Sequence, residues 1–205
     1  MLSRKGRRPD AHERARIIDV IRGLERLAGL EPRRWVIVVE KASSLNAYTS
    51  GRHTIGVTTA SLRLSDSMFE AVMAHELGHQ VNRDTWATSI RSWVVSPLRW
   101  ISRIAQVGGW FFAAASLVTG AALLPALVLA LAVWAASIPV LLLMPLTAWV
   151  QRRNELGADA VAARLGYREE LAALILVSPD NELTGWKRLT SSHPNAESRM
   201  QSMYR

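Results

Sequence analysis

The chain of 205 residues contains no cysteine. Disulfide staples and thiolate metal sites are thereby excluded, and any metal must be held by His, Asp or Glu. Charge is missing from one long interval. Across 48 residues, from Ile104 to Gln151, there is no Asp, Glu, Lys or Arg. That is about twice the roughly 20 residues needed for one membrane-spanning helix. No apolar run stands behind the basic start MLSRKGRRPDAHERARIID, so insertion is expected to depend on the internal segment.

What is present is strongly basic, with a net charge of +8 and a pI of about 10.9. The basic residues gather at the ends of the uncharged interval instead of along a groove-reading helix. A lipid bilayer is therefore the expected partner, and nucleic acid is not. Residues 86–103 mix Trp86, Trp93 and Trp100 with Arg91, Arg99 and Arg103, as lipid headgroup regions require. Two spans are expected, Ile104 to about Leu123 and Ala126 to about Trp149, turning near Leu124 and Pro125, with kinks at Pro139 and Pro145. One long tilted span plus an interfacial helix is the alternative. With two spans, Arg99 and Arg103 share a side with Arg152 and Arg153, and the positive-inside rule makes that side cytoplasmic.

Four segments follow: a basic arm and helix (1–34), the first part of a soluble domain (35–103), the membrane hairpin (104–150) and the second part of the domain (151–205). Residues 1–9 read as a flexible arm. From Asp10 to about Leu30, Ile17, Ile21, Leu24 and Ala28 recur at helical spacing, with Ile18 and Leu27 widening the stripe. RWVIVVEK (34–41) reads as a buried strand, ASSLNAYTSGRH (42–53) as a polar loop and TIGVTT (54–59) as a second strand. Gly56 within it marks a bulge or lets a partner chain approach closely.

The stretch AVMAHELGHQVN, residues 71–82, sets His75, Glu76 and His79 in an H-E-x-x-H arrangement. On a helix the two histidines lie one turn apart on one face, where both can reach a single tetrahedral zinc ion. Glu76 is beside them as the general base. The helix is expected to start near Ser65 to Ser67, with Ser67 and Glu70 at capping-box spacing. Asn82, Arg83 and Asp84 are too polar for a deep membrane position, which disfavours a protease working inside the bilayer. A catalytic zinc needs a third protein ligand and an open fourth position. QRRNELGADAVAARLG (151–166) reads as a helix ended by Gly166, with Glu155 and Asp159 on one face. Glu155 can be the missing ligand, and Asp159 can accept the spare ring N–H of a ligating histidine. Gly157 and Ala158 are small enough for close helix contact. Alone, the pair reads more simply as a solvated charged face; beside His75 and His79 the ligand reading prevails.

These motifs together resemble the membrane-bound M48 zinc metallopeptidases of the HtpX and Ste24 type. Their pattern of H-E-x-x-H, membrane segments and R-x-x-E-x-x-A-D is matched by Arg152, Glu155, Ala158 and Asp159. NAYTSGRHTIGVTT is similar to the family's N-A-aromatic stretch and edge strand, and SSHPNAESRM to its terminal H-P element. The resemblance covers about residues 35–205. It implies an α+β, mostly helical fold: a zincin-type metalloprotease domain with a small β-sheet and a transmembrane hairpin. It also implies a Zn2+-dependent endopeptidase at the cell membrane, catalytic domain cytoplasmic, that cleaves peptide or protein substrates, membrane proteins among them, in quality control. His193 becomes a candidate oxyanion donor helped by Arg199. The strand at 54–59, through Gly56 and Val57, is expected to pair with an extended substrate alongside Asn46 and Ala47. The basic N-terminal region departs from the family pattern, which usually begins with membrane helices. A catalytically inactive membrane scaffold is the alternative function.

Overall fold

Alternating and β-branched runs form a small mixed sheet, and apolar helical stripes pack against it. The computed structural model describes residues 6–51, 53–82, 84, 93, 96–120, 123–177, 191 and 193–204. The strands are β1 (Gly6–Arg7), β2 (Val36–Glu40), β3 (Ala47–Ser50) and β4 (Thr54–Thr58). The helices are α1 (Ala11–Leu27), α2 (Asp66–Val81), α3 (Ser96–Thr119), α4 (Leu123–Arg164), α5 (Arg168–Leu176) and α6 (Ala196–Met203). A 3-10 turn at Ser61–Arg63 leads into α2.

Sheet order is β1-β2-β4-β3. β2 and β4 run parallel, with Val39 beside Val57, and β3 folds back antiparallel on β4, with Ala47 beside Val57. The chain turns between β3 and β4 at Gly51, whose φ of 59° lies in the left-handed region that glycine tolerates. The sheet order corrects the expectation for 54–59. β4 is flanked on both sides and offers no free edge, whereas β3 is the outer strand. β3 itself lies within residues read from sequence as a loop.

In the described part of the N-terminal arm, Gly6 and Arg7 form a strand, pairing with Glu40 and Val39, where a flexible arm was expected. Arg7 grips Glu13 through two bonds of 2.7 and 2.6 Å. Glu13 closes a capping box with Asp10, which starts α1. Ile17, Ile21 and Leu24 are buried as the stripe requires, while Leu27 is exposed. They join Val39, Ile55, Val57, Phe69, Met73, Leu171 and Ile175 in one core. Glu25 lies inside it, fully engaged by Arg22, the Arg33 amide and the Trp35 indole.

α2 begins after Ser65 with no side-chain cap, so the Ser67 and Glu70 capping box is not formed. Arg16 secures this end instead, donating to the Leu62 and Leu64 carbonyls and to Asp66 while stacking over Phe69. Tertiary contacts replace the local cap.

α3 and α4 pack against each other. α3 ends at Gly120 (φ 66°), and α4 has begun by Leu123, so the turn precedes Leu124 and Pro125 instead of using them. α4 then continues without interruption to Arg164, carrying the segment 151–166 on the same helix as the apolar stretch before it. Gly166 (φ 98°) follows its end, as expected. Among the described residues one helix, α3, is long and apolar enough to cross a membrane.

Candidate metal centre and cleft

Helical spacing places His75 and His79 of α2 one turn apart, and their rings meet edge-on, 4.8 Å between centroids. Both are buried or nearly so in the wall formed where α2 crosses α4. The crossing is tight because Gly78 lies against Ala158. A Cβ at position 78 would stand 2.8 Å from the Ala158 Cα and carbonyl oxygen. This close approach lets Glu155, one turn earlier on α4, reach both imidazoles. Its Oε2 is 3.6 Å from His75 Nε2, and its Oε1 is 3.4 Å from His79 Nε2.

One ligand atom from each of the three residues fits within 4.8 Å of the others. Bond lengths of about 2.0–2.2 Å around a tetrahedral zinc require ligand atoms roughly 3.3 Å apart, so the donor set and its spacing fit such an ion. The second nitrogens support this orientation. His75 Nδ1 is 2.8 Å from Asp159 Oδ1, a close contact whose geometry falls short of a formed hydrogen bond. His79 Nδ1 is 3.5 Å from Asp84 Oδ2. Carboxylates thus sit behind both rings, leaving each Nε2 turned toward Glu155.

Asp159 is fully buried and is itself fixed by Arg199, through bonds of 2.7 and 2.6 Å. Burial raises its pKa, but Arg199 and then His75 outweigh burial and hold it below the usual carboxylate range. Burial likewise opposes ionisation of Glu155, yet His193, His79 and His75 together hold its carboxyl well below the ordinary value. For His79, burial lowers the pKa, but Glu155, Glu76 and Asp84 overcome it and raise it to about 9. Glu76 moves the other way: burial dominates and pushes its pKa up, against the pull of both histidines. Each shift is set by the close packing of these imidazoles and carboxylates against one another.

A cleft of about 660 Å³ opens over this cluster. His75, Glu76, His79, Glu155, His193 and Arg199 line it, together with Asn46 and Ala47 at the β3 edge. His193, half-exposed, stands with Nδ1 3.1 Å from Glu155 Oε2. Its segment is held from α4 by Arg152, which donates to the Ser191 carbonyl at 3.1 Å. Arg199 reaches the cleft wall while its guanidinium engages Asp159, behind the metal-facing rings.

Gly56 and Val57 do not belong to the cleft. Val57 is wholly buried in the sheet, and the space beside Gly56 is filled by the Tyr48 ring. Gly56 serves packing across the sheet, not a partner chain. Tyr48 then donates to Glu40 at 2.7 Å, and burial with this carboxylate pushes its pKa up to about 12. In sequence Asp84 reads only as a polar residue beyond the motif; its position behind His79 depends on how the chain turns after α2.

Residues 11–205 match the family model for peptidase family M48. The chain belongs to peptidase family M48. Its similarity extends to three proteins described as HtpX protease homologues. The one from Pelotomaculum thermopropionicum is 36% identical over 110 residues, 51% of this chain and 38% of that protein. The Acaryochloris marina protein is 29% identical over 157 residues, 71% of this chain and 49% of its own length. The Trichormus variabilis protein is 28% identical over 199 residues, 82% and 66% respectively. This M48 chain therefore spans between about two-fifths and two-thirds of these relatives. Its fold is similar to the crystal structure of S. mikatae Ste24p, with a TM-score of 0.58 at 20% identity over 90% of this chain and 49% of that one.

Proposed function

We propose that this M48 chain is a membrane-anchored, zinc-dependent endopeptidase. The convergence of Glu155 with His75 and His79, from helices far apart in sequence, carries the reading. His75, His79 and Glu155 hold the ion, and Asp159 and Asp84 orient the imidazoles from behind. When bound, zinc supplies Lewis-acid polarisation of the scissile carbonyl and acidifies the attacking water. Glu76, beside the ligands and not among them, takes the water's proton and returns it to the leaving amine. His193, on the open side of the cleft, donates a hydrogen bond to the carbonyl oxygen as negative charge develops there. The outer edge of β3, with Asn46 and Ala47, aligns an extended peptide by strand addition.

Membrane anchorage is supported by the apolar surface of α3 and α4. Phe111, Val118, Leu131 and Leu142 are each more than two-thirds exposed, a cost that lipid removes. We assign both helices to the bilayer as a hairpin, with the metal centre on the cytoplasmic side where the flanking arginines lie. Membrane proteins handled in quality control are the proposed substrates.

Cleavage of an unfolded protein such as casein by detergent-purified chain, with and without a chelator, tests the reading. Activity that the chelator abolishes and zinc restores is expected. Chelator-insensitive cleavage would refute the zinc mechanism, and no cleavage under any condition would favour the inactive scaffold.

A further inference from the structure

The rim of the cleft on the β3 side is formed by Ser44, Leu45 and Asn46. All four side chains from Ser43 to Asn46 are exposed, so this loop has no apolar anchor of its own. Hydroxyl groups from the end of β4 and the residues just after it hold its backbone instead. The Asn46 amide donates to Ser61 Oγ at 2.9 Å and to Thr58 Oγ1 at 3.1 Å. Ser61 Oγ donates back to the Asn46 carbonyl at 2.9 Å, and Thr58 Oγ1 donates to the Ser44 carbonyl at 2.9 Å. Thr59 repeats the device one step out, accepting from the Ala42 amide at 3.3 Å and donating to its carbonyl at 2.9 Å.

Thr58 and Ser61 are 2% and 1% exposed, and their oxygens stand 3.0 Å apart. Two adjoining buried hydroxyls are a poor choice for filling space, since each loses water and needs partners that an apolar residue would not. Here those partners are the backbone groups of the residues at the cleft rim. With its amide and carbonyl both engaged, Asn46 has its side chain left for the cleft.

We propose that Thr58 and Ser61 are positioning residues that set the substrate-binding rim of this peptidase through the backbone of Ser44 and Asn46. The assignment rests on the peptidase reading above. Neither residue lies on the ligand-bearing helices, and Ser61 lines the cleft at this rim. Their influence is therefore on how firmly a peptide is held, in the ground state and transition state alike, which appears in KM and leaves kcat unchanged.

The test compares Thr58→Val, which keeps shape and removes the hydroxyl, with Thr58→Ser, which keeps the hydroxyl. Cleavage of a fluorogenic peptide gives KM and kcat. Binding of the same peptide to each variant in a Glu76→Gln background gives affinity without turnover. Thr58→Val is expected to raise KM and weaken binding roughly five- to tenfold, with kcat within about twofold and metal content unchanged. Thr58→Ser should stay within about twofold of the parent in both. Hydrogen exchange at residues 42–46 should quicken in Thr58→Val alone. An unchanged KM in a folded Thr58→Val protein, or a loss confined to kcat or metal content, would overturn the proposal. Should Thr58→Val fail to fold, Ser61→Ala takes its place, with the same expectations and the same overturning results. Parent protein that binds the peptide but never cleaves it would refute the peptidase reading while leaving the rim assignment to stand or fall on binding. Parent protein that binds no peptide would overturn both.

Discussion

At the scale of single residues, the site rests on a division of labour between carboxylates of one chemical kind. Glu155 faces the imidazole nitrogens, Asp159 and Asp84 stand behind them, and Glu76 lines the cleft beside the histidines. Replacing Glu76 by Gln keeps size and shape but removes the proton acceptor. Turnover should fall by roughly 10²- to 10⁴-fold, with zinc content unchanged by elemental analysis. Replacing Asp159 by Asn acts on the metal instead. It removes the negative charge behind His75 and one of the two oxygens that engage Arg199, and zinc affinity should fall roughly 10- to 100-fold in a competition titration. The residues behind the metal were only partly legible in the sequence. Asp159 could be placed because it shares a helix face with Glu155 at fixed spacing. Asp84 could not, because it follows the end of α2, where helical periodicity no longer locates a side chain.

At the scale of elements, the crossing of α2 over α4 decides whether the ligands meet. Gly78 sits against the Ala158 backbone with no room for a methyl group. Gly78→Ala should push the helices apart, destabilise the fold by about 1–3 kcal/mol and reduce zinc stoichiometry, read by thermal unfolding and metal analysis together. Gly23, inside α1, meets nothing within 4 Å. Gly23→Ala should stabilise by about 0.5–1 kcal/mol and leave zinc untouched. α1 was legible because three-to-four-residue periodicity survives in it, whereas α2, buried on most sides, was legible through its H-E-x-x-H motif. The strands were less so. β3 is the short polar run AYTS, held in place by pairing with β4 and lacking any alternation of its own. Which strand lies at the edge is a property of sheet order, so Gly56 and Val57 were assigned to substrate when their place is the sheet interior.

For the whole molecule, two halves of one centre are separated in sequence by a long uncharged interval and reunited by a helix pair. Because α4 runs unbroken from the apolar stretch into the ligand-bearing turns, movement of the proposed span would act directly on Glu155. The proposed hairpin fixes the side on which surface residues appear. The chain has no cysteine, so a single introduced one reports its position alone. Arg26→Cys and Glu197→Cys should be shielded from an impermeant maleimide in intact cells and labelled after lysis, whereas Thr119→Cys should be labelled in intact cells. Labelling of Arg26→Cys and Glu197→Cys from opposite sides would rule out an even number of crossings.

The proposed metal centre stands on a carboxylate beyond the uncharged interval joining two histidines before it. Zinc bound per chain after dialysis, measured side by side for the parent, Glu76→Gln and Glu155→Ala proteins, is the decisive measurement. About one ion per chain in the first two, and loss of most of it in the third, is the predicted result. A Glu155→Ala protein that retains zinc as tightly as the parent would contradict it.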